Sequence, residues 1–267
     1  IADLLHSLDP HSNYIAAEDL QRMNESIEGK FGGVGVRFTI LNDTLNITNV
    51  INQSPAFRAG VKQFDQIIAV NDSVIAGVGL TNSDVQDLLK GEAGTDVEVT
   101  IWRENKELDV SITRGMVPIE TVTAAYMISS DIGYIRLSQF SLQSANEFYR
   151  AALNLANQGM RKLVFDLRFN GGGVMGSAVS IVDALLEKGK PIVSTKGKNS
   201  PEEIIYSQTD PPLGNMELVV LINGSSAAAS EIVAGAIQDN DRGTIIGRRS
   251  FGKGLVQQDI NLKDGSN

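Results

Sequence analysis

The sequence predicts a mixed protein in which a small β-rich domain is inserted before a layered α/β core and follows a short N-terminal helical segment. Residues 30–114 consist of short β-branched runs punctuated by glycine and asparagine, with one helical stretch, TNSDVQDLLKGE, near their end. From Tyr134 onward, strand-like runs alternate with helical periods, which is typical of layered α/β domains. These two patterns favour a multidomain protein of the α+β and α/β classes.

Each of the three segments has its own sequence signals. The first, residues 1–29, contains helical pieces interrupted by the turn LDPHSNY around Pro10. The β-rich domain follows over residues 30–114, and the α/β core over residues 115–267. The chain opens on Ile1 and stops at KDGSN in mid-pattern, so we expect a fragment whose core is truncated at its C-terminus.

Composition excludes several function classes. The 267 residues are 42% hydrophobic, which predicts a soluble globular protein with a sizeable core. A net charge of -9 argues against nucleic acid, because binding to phosphates needs a basic surface. The absence of cysteine excludes disulfides, thiolate metal sites and cysteine nucleophiles. Since no apolar run reaches membrane-spanning length, no span is expected in this fragment, and no cofactor is predicted.

The two histidines do not support familiar catalytic or metal sites. His6 and His11 both lie in the N-terminal segment, so no Ser-His-Asp triad can come from the α/β core alone. Two histidines without cysteine also make a zinc site a poor prediction, and no metal is expected. We interpret His11 as a turn-stabilising residue, with a catalytic role as the disfavoured alternative.

A lysine is then the plausible general base. A lysine accepts a proton at neutral pH only where desolvation disfavours its ammonium form. Lys253 lies in SFGKGL, between two glycines and beside Phe251, a context that can hold it against the core. An isolated GKG is more often a solvated loop, so this alternative stays open until the neighbouring residues are considered.

The stretch SSAAASEIVAGAIQDNDR, followed by GRRSFGKGLVQQ, resembles the active-site block of the carboxyl-terminal processing proteases, the serine-lysine peptidases of family S41. The family block reads S-A-S-A-S-E, then an apolar helix, then F-G-K-G-x-V-Q. Alignment on Glu231 puts the family's nucleophilic serine at Ala228, and Lys253 follows 25 residues later, as in the family. LDPHSNY, GVGV, SPAFRAGV and VFDLRFNGGG extend the resemblance over nearly the whole chain.

The resemblance implies a role for each matching residue. A serine at position 228 would attack the peptide carbonyl, Lys253 would act as general base, and Gln257 would orient the lysine. The amide of Ala229 and one amide from Gly172 or Gly173 would form the oxyanion hole. By itself, NGGG is equally well an ordinary strand-to-helix turn, and Gly171 stands where the family has proline.

Two further residues match the family without an assigned catalytic step. Asp239 and Arg242 lie in QDNDR, after the apolar helix. We interpret Asp239 as structural rather than catalytic, because an acid beside a lysine stabilises its ammonium form and works against a base. Arg242 is treated as structural or auxiliary as well.

Alanine at position 228 has two explanations. It is either a serine-to-alanine substitution introduced into a working protease or the mark of a long-decayed pseudoenzyme. We favour the first because everything else that the reaction needs is retained. Ser226 and Ser230 match family positions other than the nucleophile, so neither is expected to replace it.

The β-rich domain resembles a PDZ domain. FGGVGVRF has glycines where backbone amides turn inward to hold a carboxylate, and TNSDVQDLLKG supplies the facing helix. A glycine-containing hairpin is the alternative, which the accompanying SPAFRAGV disfavours. The predicted peptide-binding residues are Gly33, Val34, Gly35, Val36 and Leu88. The expected ligands are proteins or peptides that end in an apolar residue.

Two function classes therefore remain. One is a carboxyl-terminal processing endopeptidase captured in an inactive form, and the other is a natural non-catalytic scaffold that uses only the PDZ groove. The resemblance implies a bacterial periplasm or cell-envelope location, and it leaves a homo-oligomer or adaptor proteins open as partners. Whether the PDZ domain activates or inhibits cleavage is not written in the sequence.

Overall fold

A computed structural model describes residues 5, 11–258, 260–263 and 266. Residues 30–119 form one compact unit, and the remainder of the chain forms the other. The predicted mixed class, with a β-rich domain and a layered α/β core, is confirmed. His6 lies outside the described residues.

The unit of residues 30–119 contains a six-stranded and a two-stranded antiparallel sheet with two helices. Its elements are β1 (Lys30–Gly33), β2 (Val36–Leu41), β3 (Thr44–Val50), α2 (Pro55–Arg58), β4 (Gln66–Val70), β5 (Ser73–Val74), α3 (Asn82–Leu89), β6 (Asp96–Arg103), β7 (Lys106–Thr113) and β8 (Gly115–Pro118). The sheet order is β2-β3-β4-β6-β7, β5 pairs with β4, and β1 pairs with β8. Among the described strands, β2 therefore has a partner on one edge only.

Alternation of apolar side chains explains this sheet. Val97, Val99 and Ile101 of β6 are buried on one face, as the period of two requires. Helix α3 packs the buried Val85 and Leu89 onto the same core. It begins at a capping box formed by Thr81 and Asp84, the third residue of the helix. Helix α3 thus has a defined start and a buried face.

The other unit has a five-stranded sheet flanked by helices. Its elements are α1 (Ala17–Glu28), β9 (Val122–Met127), β10 (Ile132–Leu137), α4 (Ser144–Asn157), β11 (Lys162–Asp166), α5 (Met175–Asp183), β12 (Pro191–Gly197), β13 (Ser200–Tyr206), β14 (Glu217–Ile222), α6 (Ala229–Asp239) and β15 (Thr244–Gly247). The order is β15-β14-β11-β10-β9, with β10, β11, β14 and β15 parallel and β9 antiparallel. Strands β12 and β13 form a separate hairpin.

Parallel pairing positions the candidate site. The core under α4, α5 and α6 includes Phe148, Phe165, Ile181 and Ile237, all fully buried. The carboxyl ends of neighbouring parallel strands lie at one edge of a sheet, where the loops after β11, β14 and β15 must meet. Among the described residues, no helix combines the length and the apolar character needed to cross a bilayer.

Candidate active site and peptide groove

Three loops meet at the carboxyl edge of the α/β sheet. Residues 167–174 connect β11 to α5, residues 223–228 connect β14 to α6, and residues 248–258 follow β15. The amide of Ala227 donates to the Asn170 carbonyl at 3.1 Å and joins the first two loops. The third is joined by the amide of Phe251, which donates to the Ser226 carbonyl at 3.0 Å.

Ala228 occupies a sharp turn immediately before α6. Its φ of 48° and ψ of -109° place it in the left-handed half of backbone space, which is unusual for a residue other than glycine. Such conformations cost about 1–3 kcal/mol and cluster at functional sites. Ala227 and Ala229 are buried, whereas Ala228 is only half-buried. The turn therefore presents the side chain of residue 228 rather than those of its neighbours.

Glu231 holds the turn and the lysine loop together. Its Oε2 accepts the amide of Ala228 at 3.0 Å and that of Lys253 at 2.8 Å, while Oε1 accepts the amide of Gly252 at 2.7 Å. Burial tends to raise the pKa of Glu231, but hydrogen bonds from the Ser250 hydroxyl and these three amides outweigh it and hold the pKa below its ordinary value. Because one oxygen contacts both amides, residues 228 and 253 lie side by side.

The side chain of Lys253 is held by Gln257. Lys253 Nζ donates to Gln257 Oε1 at 3.1 Å, and Gln257 Nε2 donates to the backbone carbonyl of His11 at 2.7 Å. Lys253 is half-buried. The structure thus gives Gln257 a fixed orientation through the N-terminal segment, with its amide oxygen turned toward the lysine.

The glycine loop lies directly against residue 228. A Cβ built at Gly172 would be 2.9 Å from Ala228 Cβ and 3.0 Å from the Ala229 nitrogen, and the φ of Gly172 is 100°. The Gly172 amide donates to Asn170 Oδ1 at 2.9 Å. In contrast, no acceptor among the described residues receives the amide of Gly173 or that of Ala229. Of the two predicted glycines, Gly173 has the amide that remains available.

Asn170 is a functional residue that sequence reasoning missed. It is fully buried, its Nδ2 donates to the Leu137 carbonyl at 3.0 Å, and its Oδ1 accepts Gly172. Its own carbonyl accepts the amide of Ala227 and the hydroxyl of Ser230. Glu231 was likewise used only to align motifs. Both are polar residues inside the quoted motifs, and that position is the sequence feature that could have indicated their roles.

The neighbouring serines are committed to backbone acceptors. The Ser226 hydroxyl donates to the Leu167 carbonyl at 2.8 Å, and the Ser230 hydroxyl donates to the Asn170 carbonyl at 2.9 Å. Both residues are fully buried. Their hydroxyls are used to close the turn, which argues against either as a substitute nucleophile.

Asp239 and Arg242 lie away from this arrangement. Asp239 is the exposed last residue of α6, about 15 Å along the helix from Ala229 at 1.5 Å per residue. The Arg242 guanidinium donates to the carbonyls of Leu185, Leu213 and Met216 at 2.6–2.9 Å, and burial lowers its pKa. These placements are compatible with structural roles for both.

An ion pair between the buried Asp166 and the exposed Arg168 lies at the start of the glycine loop. Asp166, at the end of β11, accepts Arg168 Nη2 at 2.7 Å and the Tyr134 hydroxyl at 2.6 Å. Burial tends to raise the pKa of Asp166, but the hydrogen bonds from Arg168 and Tyr134 hold the pKa below its ordinary value. Desolvation and the neighbouring carboxylate raise the pKa of Tyr134. The pair stiffens the strand end from which the loop departs.

The predicted peptide-binding residues of the other unit lie at the end of β1, in the turn that follows it, at the start of β2 and on α3. The loop Gly33–Val36 runs from the last residue of β1 to the first residue of β2, and the half-buried Val36 and Leu88 lie against the core from β2 and α3. No acceptor among the described residues receives the amides of Val34 and Gly35, although both residues are buried. Buried backbone donors without a partner call for an explanation, and successive free amides in a turn can bind an anion.

Comparison with known proteins identifies the family. The peptidase family S41 model matches residues 131–267, and a PDZ domain model matches residues 32–113. This chain belongs to peptidase family S41. The predicted family is thereby confirmed. Among the described residues, no group of three His, Cys, Asp or Glu side chains is arranged to hold a metal ion.

The S41 chain has relatives of similar sequence and structure. A carboxy-terminal-processing protease of Bartonella bacilliformis is 40% identical over 98% of this chain and 61% of its own length. A probable CtpA-like serine protease of Staphylococcus aureus is 34% identical over 97% and 51%. The structure of a photosystem II D1 C-terminal processing protease matches with a TM-score of 0.55 and 31% identity, over 99% of this chain and 73% of that one. The S41 chain thus spans about half to three-fifths of these two bacterial relatives.

Proposed function

We propose that the chain belongs to a carboxyl-terminal processing serine endopeptidase, whose PDZ domain captures protein C-terminal tails and whose serine-lysine centre cleaves peptide bonds. In this proposal residue 228 carries the nucleophile of the active enzyme, and Ala228 leaves the present chain catalytically inactive. The observation that carries it is the double contact of Glu231, which holds the amides of residues 228 and 253 on one carboxylate oxygen.

The reaction follows from the residues around position 228. A serine Oγ there would attack the peptide carbonyl while Lys253 accepts its proton and then returns it to the leaving amine. In the second step, water would attack the acyl-enzyme while Lys253 accepts a proton from that water and returns it to the serine Oγ. Gln257 orients Lys253 through the contact at 3.1 Å. The available amides of Gly173 and Ala229 would stabilise the tetrahedral oxyanion.

Gly172 has a different part in this proposal. Its amide is committed to Asn170, but its missing Cβ leaves the space beside residue 228 open. We therefore propose that Gly172 leaves room for the oxyanion, whereas the Gly173 amide donates the hydrogen bond to it. Asp239 and Arg242 are proposed to act structurally, through the end of α6 and the carbonyls that Arg242 joins.

The alanine is proposed to be a serine-to-alanine substitution in an otherwise working site. Its support is the complete hydrogen-bond network of Glu231, Asn170 and Gln257, which needs no hydroxyl at position 228. A natural non-catalytic PDZ scaffold is the alternative, favoured by the alanine itself. The unpaired amides of Val34 and Gly35 support peptide binding under both proposals.

Restoring the hydroxyl tests the proposal. We expect the Ala228→Ser chain to cleave a peptide with an apolar free C-terminus, whereas the parent chain leaves it intact. The Ala228→Ser/Lys253→Ala chain is the matched control and should be inactive. Cleavage by the parent chain would contradict the proposal. An inactive Ala228→Ser chain that still binds the peptide would favour the scaffold.

Partners and location are proposed on the same basis. The two relatives named above are bacterial proteins, and we propose the periplasm or cell envelope as the site of action. The proposed partners are protein or peptide substrates with apolar C-termini, with self-association or adaptor proteins as further partners. Fractionation of cells that express the tagged full-length protein would test the location.

A further inference from the structure

Lys90 is an unpaired cation at the end of the peptide groove. It is the first residue after helix α3 and is exposed, and no carboxylate forms an ion pair with it among the residues that the structure describes. Its Nζ lies 5.1 Å from the centroid of the Phe31 ring. A cation–π contact of this kind restrains the ammonium group without neutralising it.

The Phe31 ring places this charge beside the loop Gly33–Val36. A Cβ built at Gly33 would lie 3.0 Å from Phe31 Cε2 and 3.6 Å from the Leu89 carbonyl oxygen. One residue past Lys90, the Gly91 amide donates to the Gly32 carbonyl at 3.2 Å. The end of α3 and the loop with the unpaired amides are therefore in direct contact.

An anion at this loop faces an electrostatic obstacle that Arg114 reduces. The C-terminus of a helix carries partial negative charge on its free carbonyls, which repels a carboxylate. Arg114 Nε donates to the Leu89 carbonyl at 3.2 Å, and Nη2 donates to the Leu88 carbonyl at 2.9 Å. With these carbonyls covered, Lys90 adds a positive charge at this end of α3 in a chain whose net charge is -9.

We propose that Lys90, seated on the Phe31 ring, recognises the terminal carboxylate of a bound peptide by charge, in addition to the amides of Val34 and Gly35. This inference rests on the peptide binding proposed above and assigns selectivity for a free C-terminus to a residue outside the loop. A rim charge acts mainly on association rate and on salt dependence, so the expected contribution is about three- to tenfold at low salt.

Matched peptides and variants separate this role from a general charge effect. A labelled six-residue peptide ending in valine is titrated as the free acid and as the amide, at about 0.02 M and about 0.5 M salt. Three chains are compared, namely the parent, Lys90→Gln and Lys62→Gln. Lys62 is an exposed lysine of the same unit, in the β3–β4 connection, so its variant makes the same change in net charge. Circular dichroism checks that each variant is folded.

The expected result is a loss of selectivity in one variant only. Lys90→Gln should lower the preference for acid over amide about three- to tenfold at low salt, and the difference should shrink at high salt. Lys62→Gln should leave the preference unchanged. A preference in Lys90→Gln equal to that of the parent would overturn the role of Lys90 alone. Equal binding of acid and amide by the parent would overturn the proposed carboxylate site as well.

Discussion

The candidate active site and the peptide groove are held in shape by different means. At the active site, the buried or half-buried polar residues Asn170 and Glu231 hydrogen-bond to three loops. At the groove, regular elements form the walls, and charged side chains hold the ends of α3. Asp43 accepts the amides of Gly79 and Leu80, and Arg114 covers the last carbonyls. We therefore expect a single substitution in the hydrogen-bond network to cause a large loss of catalytic activity. A single substitution at the groove should lower peptide affinity by a smaller factor.

The largest effect is expected at Lys253. In the Ala228→Ser chain, Lys253→Ala should lower kcat about a thousandfold because the general base is lost. Lys253→Arg should be nearly as inactive, since a guanidinium does not deprotonate at neutral pH. Peptide cleavage is the measurement, and peptide binding should be unchanged. An active arginine variant would show that Lys253 is not the base.

Glu231→Gln should break the active site while sparing the groove. A glutamine side chain has one carbonyl oxygen and no charge, so it cannot accept the amides of Ala228, Gly252 and Lys253 as the carboxylate does. We expect the Ala228→Ser chain to lose about 10- to 100-fold in kcat on this change, equivalent to about 1–3 kcal/mol for the unsatisfied amides. Peptide affinity that falls in parallel would contradict the separation of the two regions.

The same variant gives a pH test with a defined sign. Because the pKa of folded Glu231 lies below its ordinary value of 4.5, the stability that it contributes is fully present above pH 4.5. That contribution is lost as the pH falls through the lower pKa of the folded state. The difference in free energy of unfolding between Glu231 and Glu231→Gln chains should thus narrow from pH 5 to pH 3. If the difference in free energy of unfolding widened as the pH fell, the pKa of folded Glu231 would have to lie above its ordinary value.

Alanine substitutions at the adjacent Gly171 and Gly172 form a matched pair of variants, for which we expect an effect of intermediate size. A Cβ at Gly172 would lie 2.7 Å from the Ala227 carbonyl oxygen, and the φ of 100° is unfavourable for alanine, whereas a Cβ at Gly171 meets nothing within 4 Å. Gly172→Ala should therefore cost about 1–3 kcal/mol of stability and close the oxyanion hole. Gly171→Ala should be neutral or stabilise by less than about 1 kcal/mol. Thermal melting of both variants decides between these outcomes.

The smallest effect is expected at the groove. Asp43→Ala frees residues 79–80, which precede α3, and should lower affinity for a six-residue peptide about three- to tenfold without altering the fold. Asp84→Ala is the control, because it removes the helix capping box but leaves the contact of Asp43 with that connection. If Asp84→Ala weakened binding more than Asp43→Ala, helix stability rather than helix position would govern affinity.

Gly35 is a predicted peptide-binding residue, and valine at this position changes more than peptide affinity. A Cβ at Gly35 would lie 2.4 Å from Ser54 Cβ, where both residues are buried, and the φ of Gly35 is 82°. Valine there should disturb the core of the unit as well as the loop, so it cannot serve as a clean binding variant.

By itself, the sequence determined the fold class and the family, and it predicted the residue types of the site. Periodic apolar positions encode strands and helices locally, and motif letters such as those around Ala228 and Lys253 identify chemistry because few residue types can perform it. It also places alanine where the family motif has serine, so the proposed loss of the nucleophile depends on one residue alone.

Only the tertiary structure decided which groups meet. Residues 228 and 253 become neighbours through Glu231, Gln257 is oriented by the carbonyl of His11, and Gly172 gives up its amide to Asn170. A hydrogen bond depends on distance and direction between groups that lie up to 246 residues apart in the chain. No local pattern encodes such pairings, because they exist only once the parallel strands have brought their loops to one edge of the sheet.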